Sequence, residues 1–282
     1  EVQAQNPETE ILWDNYGVPH IYAKNMQEMY YAFGWAQMNN HANLILQLYA
    51  QARGKAAEYF GKNYFDSDKK ILLFQLPEQA EKNYLQLDKE FKSYLDAFVK
   101  GMNDYAKAHY ETIDENYRQV LPVTGEDILS HTIRVICLEI LASEDIYTVK
   151  RLTDPGSNSM AIAPSKSQSG KAMLVSNSHV PWSDFFLWFE AHLNSQDINA
   201  YGTALVGTPV LSIAFNNSLG WTLTINPIDA SDRYELTLKE DGYLLDGKTE
   251  LFDKREVSIK VKQEDGILQE EKLEFKYSKH GP

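Results

Sequence analysis

Gly156, Ser157 and Asn158 stand near the middle of a 282-residue chain, where a loop-like stretch, Thr153-Asp154-Pro155, gives way to the alternating run Ser159-Met160-Ala161-Ile162-Ala163. His179 follows 22 residues after Ser157. A serine hydroxyl attacks an amide carbonyl only when a base takes its proton. If the bond after Gly156 is cut, Ser157 gains a free α-amine whose reference pKa of roughly 7.7 to 8.0 lets it serve as that base. One residue then supplies nucleophile and base, and the chemistry is amide hydrolysis through an acyl-enzyme. The remaining requirement is a set of donors aimed at the oxygen that becomes negative in the tetrahedral intermediate.

Four further stretches extend this pattern over the whole length: Asp14-Asn15-Tyr16-Gly17-Val18-Pro19-His20-Ile21, Ser169-Gly170-Lys171, Asn177-Ser178-His179-Val180-Pro181-Trp182, and His280-Gly281-Pro282. In this order and spacing, together with Gly156-Ser157-Asn158, they resemble the penicillin acylase family of N-terminal nucleophile hydrolases. The Val-Pro-Trp wording, and His179 where other members carry Gln, resemble the acyl-homoserine lactone and aculeacin acylase branch more than the penicillin G branch.

The resemblance implies a self-cleaving hydrolase of linear amides, processed between Gly156 and Ser157. It implies that His179 lies close to the nucleophile's amine, where an imidazole can tune its protonation near neutral pH. One oxyanion donor is implied to be the backbone N–H of Ile225, in the strand after Gly220-Trp221. The other would be an asparagine beyond residue 282, and loss of one such donor costs on the order of 100- to 1000-fold in rate. On that reading the 282-residue stretch alone is poorly active, and the remainder of its own β-chain is a required partner. Val180, Ile213 and Leu223 fall at acyl-pocket positions, where aliphatic groups favour an alkyl acyl chain. Asp229 and Asp232 have the spacing at which some members hold a structural Ca²⁺, an ion that takes oxygen ligands. No cofactor for catalysis is implied. The substrate class is a small N-acyl amide, such as an acyl-homoserine lactone, a lipopeptide or a β-lactam side chain. Family members are bacterial and exported with a cleaved leader, so the expected location is periplasmic or secreted. The competing reading is a non-catalytic β-rich binding module, or an inactive, unprocessed member.

The elements that position these residues change character along the chain. Residues 11–23 read as two short extended pieces around a turn at Tyr16-Gly17. Asn25 then caps a helix, with Glu28 placed for a capping box. Met29, Phe33, Ala36, Leu44, Leu48 and Ala52 are at helical spacing, with Gly34 and Gly54 as weak points, giving one or two helices. Leu87 to Tyr105 reads as another helix, and a third follows Gly125. From Ser157 onward short apolar or alternating runs predict strands at 172–175, 211–215 and 234–238. Asp241-Gly242, Asp246-Gly247 and Asp265-Gly266 predict hairpin turns. The alternation of Val257 to Lys262 predicts a strand with one solvated face.

The expected class is therefore α+β. The resemblance makes it a four-layer αββα sandwich, divided into a mainly helical segment, residues 1–156, ending in a spacer-like stretch, and residues 157–282, the truncated first part of the nucleophile-bearing chain. A hydrophobic content of 43% suits a sizeable core. The net charge of −13 argues against nucleic acid or an anionic membrane surface as a partner. The lone Cys137 lies in an apolar run and is expected to be a small buried hydrophobe. His20, His41, His109, His131 and His192 show no His-x-x-x-His spacing and are expected in solvated or core roles.

Overall fold

The computed structural model describes residues 9–141, 156–224 and 231–282. The chain enters through a hairpin, β1 (Glu10–Trp13) and β2 (Pro19–Tyr22), and then runs through seven helices among the described residues. These are α1 (Met26–Ala52), α2 (Ala56–Phe60), α3 (Phe65–Leu73), α4 (Leu76–Gln86), α5 (Lys89–Ala108), α6 (Glu115–Arg118) and α7 (Gly125–Ile133). A π-helical stretch, Arg134–Leu141, continues α7. The second half is built of β3 (Ser157–Ile162), β4 (Met173–Ser178), β5 (Trp188–Asn194), β6 (Asn199–Leu205), β7 (Ile213–Phe215), β8 (Gly220–Trp221), β9 (Leu238–Lys239), β10 (Gly242–Leu245), β11 (Lys248–Leu251), β12 (Asp253–Lys262) and β13 (Leu268–Tyr277). The α+β expectation holds.

Asn25 caps α1 by accepting from the Glu28 amide at 2.9 Å. Only half of the capping box forms, because the Glu28 carboxylate accepts from the Thr9 hydroxyl instead of reaching back. One helix bridges the whole apolar pattern, with a kink at His41, where φ is −136°. Gly34 is not a weak point. An added Cβ there would stand 2.1 Å from the Phe98 carbonyl oxygen, and one on Gly101 would stand 1.9 Å from that of Tyr31. The two glycines let α1 and α5 cross backbone to backbone.

One sheet organises the rest, with strand order β1-β2-β5-β6-β7-β8. Its pairings are antiparallel except β2 with β5, which is parallel and joins the first half of the chain to the second. Alternation gives the sheet two faces. Ile21, Phe189, Ala191, Leu193, Ala200, Ala204 and Ala214 are buried against the helices, and Phe33 of α1 packs between Phe98 and Phe189 at ring distances of 5.6 and 5.9 Å. Buried Gln37 accepts from the Gly207 amide at 2.9 Å and donates to the Thr208 carbonyl at 2.8 Å, which satisfies a polar group inside the core. The opposite face carries His20, Tyr22, Glu190, His192, Tyr201 and Phe215, all partly or fully exposed. The four layers of the sandwich are not all present among the described residues. Beside this helix layer and sheet there are a β3–β4 hairpin, a β12–β13 hairpin and a small β9–β11 sheet.

Several expectations change. Cys137 is exposed. The wider winding from Arg134 turns Ile136 and Cys137 outward while Val135, Leu138 and Glu139 face in. Of residues 234–238 only Leu238 enters a strand. The predicted turn at Asp241-Gly242 moves back by one, to Glu240 and Asp241. Gly242 starts β10, where a Cβ would stand 2.1 Å from the Glu250 carbonyl oxygen. Asp246-Gly247 does form the expected tight turn, with φ of 50° and 79°. β12 alternates as expected, and its Ile259 and Val261 pack on Ala57 of α2.

Candidate functional site

Ser157 is the first residue of β3, and β3 pairs antiparallel with β4 in the register Ser157 opposite Ser178 and Asn158 opposite Asn177. This register brings the residue after β4, His179, back to Gly156. The His179 amide donates to the Gly156 carbonyl at 3.0 Å, and the His179 Nδ1 lies 3.7 Å from where a Gly156 Cβ would be. The Ser157 hydroxyl donates to the same carbonyl oxygen at 2.7 Å. The Ser157 hydroxyl and the His179 amide therefore meet at the carbonyl of the Gly156–Ser157 bond, with the imidazole beside Gly156.

Asn158 completes this corner, and sequence reasoning passed over it. Its Nδ2 lies 3.0 Å from His179 Nε2. With the amide nitrogen donating, the ring hydrogen sits on Nδ1, toward Gly156. The signal was present in the hairpin itself, because residues two apart on a strand share a face, so Asn158 lies on the face of Gly156 and of the His179 opposite it.

The segment that follows β8 approaches the same hairpin. Thr222, one residue past β8, shares a 2.6 Å hydrogen bond with Ser176 of β4, and Leu174 packs over Gly220, where a Cβ would be 2.8 Å from its side chain. Ile225 and Asp229 lie outside the described residues. Asp232 is exposed, and among the described residues no group of three or more His, Cys, Asp or Glu gathers that could hold a metal. Of the acyl-pocket candidates, Ile213 points to the sheet face away from the helices, Val180 is half-buried just beyond His179, and Leu223 is exposed. The hairpin is open on both sides. Met160, Met173, Leu174 and Val175 are exposed, and Trp182 is 91% exposed.

No described helix is long and apolar enough to cross a membrane. The penicillin amidase family model matches residues 8–282. An acyl-homoserine lactone acylase PvdQ from Pseudomonas savastanoi pv. phaseolicola is 24% identical over 99% of this chain and 41% of its own length. A PvdQ from Pseudomonas syringae pv. syringae is 27% identical over 94% of this chain and 40% of its own. An acyl-homoserine lactone acylase QuiP from Pseudomonas aeruginosa is 22% identical over 94% of this chain and 39% of its own. The chain thus spans about two-fifths of the length of the curated relatives it matches. With the family model matching nearly every residue, the chain belongs to the penicillin amidase family.

Proposed function

We propose that the complete protein is an amidohydrolase that cleaves a linear N-acyl amide through an acyl-enzyme on Ser157, exposed by self-cleavage after Gly156. The observation that carries this reading is the β3–β4 register, which sets the Ser157 hydroxyl on the Gly156 carbonyl and His179 against the same residue. The hydroxyl stands 2.7 Å from the oxygen of the carbonyl that an N→O acyl shift would transfer to it. The bond from Gly156 to nitrogen then gives way to an ester on Oγ, and water releases the ester. The freed α-amine serves as the base for each later turnover.

The Ile225 amide is assigned as one oxyanion donor, because the strand leading to it already bonds to β4 through Thr222. Val180, Ile213 and Leu223 would line the acyl side and favour an alkyl chain. The substrates named for the relatives make an acyl-homoserine lactone the first compound to test. The second sheet and helix layer, the partner asparagine and the periplasmic or secreted location belong to the same proposal, with residues 1–156 and 157–282 as the two parts joined at the cut. A structural Ca²⁺ on Asp229 and Asp232 also remains a proposal, tested by whether EDTA lowers the Tm of the full-length protein.

The deciding experiment uses full-length protein, a panel of acyl p-nitroanilides of graded length, and N-terminal sequencing of its fragments. The expected result is a fragment beginning at Ser157 and acyl release. Ser157→Ala should give one uncut polypeptide without release. A Ser157→Ala protein that still hydrolyses the panel would overturn the assignment.

A further inference from the structure

On the polar face of the six-stranded sheet, the parallel β2–β5 register sets His20 directly beside His192. Their Nδ1 atoms are 3.1 Å apart. The outer nitrogen of each ring faces an oxygen. His192 Nε2 lies 2.8 Å from Asn199 Oδ1, to which it donates, and His20 Nε2 faces the Asp14 carboxylate at 3.6 Å. A neutral imidazole has one N–H. In the tautomer with both hydrogens on Nε2, the two Nδ1 lone pairs converge 3.1 Å apart, where one cation can accept both.

We propose that His20 and His192 form a binding site for a borderline transition-metal cation, Zn²⁺ or Cu²⁺, held by both Nδ1 atoms with water completing the coordination. For metal–nitrogen bonds of about 2.0–2.1 Å, an Nδ1 separation of 3.1 Å gives an N–M–N angle of roughly 100°, close to the value for either a tetrahedral or a square-planar ion. Imidazole donors select this class over Ca²⁺ or Mg²⁺, which take oxygen. Metal-binding histidines characteristically donate their other N–H to a carboxylate or carbonyl oxygen; His192 Nε2 does so to Asn199 Oδ1, and the Asp14 carboxylate faces His20 Nε2. Asp14 is itself held, accepting from the Tyr16 and Val18 amides at 2.8 and 2.9 Å. Tyr22 braces His192 edge-on at 5.7 Å, and Tyr201 lies tilted beside His20 at 6.2 Å.

The test uses full-length protein stripped of metal. Titration with Zn²⁺ alone should show one equivalent bound in calorimetry, and Cu²⁺ should give an electron paramagnetic resonance spectrum with nitrogen coordination. His20→Gln and His192→Gln should each weaken Zn²⁺ binding at least about tenfold, because each leaves a single ligand. Crystals soaked in Zn²⁺ should show an anomalous peak between the two Nδ1 atoms, a readout that needs no variant. The proposal is overturned by a wild-type crystal without that peak, or by folded variants that keep the same Zn²⁺ affinity.

Discussion

Ser157 and His179 were legible as a pair because the hairpin that joins them is local. Asn158 was missed because its role appears only once the β3–β4 register is known, and its loss has a specific expected outcome. Asn158→Leu in the full-length protein should free the His179 ring to change tautomer and shift the pH profile of acyl release while the protein still folds, as checked by circular dichroism beside the rate profile. Two other side chains set how stability follows pH. Asp68 is buried and accepts from the Ala56 and Ala57 amides, yet burial outweighs those bonds and pushes its carboxyl up to about 7 from 3.8. A group raised in the folded state stabilises fully below its unfolded pKa, and the contribution is lost as pH rises through the folded one. So Tm should fall between about pH 4 and pH 7, and Asp68→Asn, which removes the charge and keeps an acceptor for one amide, should flatten that slope in thermal melts. Burial and the nearby Arg134 charge push His131 down to about 3 from 6.5. Its contribution is present above pH 6.5 and is lost as pH falls toward 3, so acid unfolding should set in earlier in wild type than in His131→Phe, provided that variant packs as well.

Among the elements, the strongly periodic helix α5 was read from its apolar spacing, and the Asp246-Gly247 turn from its two residue types. The π-helical stretch was not, because Val135, Cys137 and Leu138 fit a 3.6-residue period as well as a wider one, and only packing decides which turn outward. Gly34 and Gly101 show the same limit from the other side. A glycine in a helix reads as weakness until a second backbone is found lying across it. Gly101→Ala should lower stability by about 1–3 kcal/mol, since the methyl group would meet the Tyr31 carbonyl with nowhere to go. Urea unfolding of the full-length protein measures this, and Ala108→Gly near the end of the same helix offers a contrast of smaller size.

For the whole molecule, charge was available from composition and the α+β class from the change of periodicity along the chain, but the joining of the two halves was not. His20 and His192 are 172 residues apart, and nothing in local spacing announces the parallel pairing of β2 with β5. The exposed apolar hairpin around Ser157 has a matching consequence. The 282-residue stretch expressed alone should bind a hydrophobic dye more strongly than the full-length protein and hydrolyse the p-nitroanilide panel at least about 100-fold more slowly, as expected when an oxyanion donor is missing. The β2–β5 seam also decides what happens when the backbone is severed anywhere from residue 142 to 156. The earlier piece contributes two strands of the sheet and the helical floor beneath it, so neither piece can close a core alone, and the halves stay clasped after the cut. Once separated in denaturant they would have to find each other by diffusion, making recovery second order: tenfold dilution slows it tenfold, whereas the unsevered chain recovers at a rate indifferent to dilution.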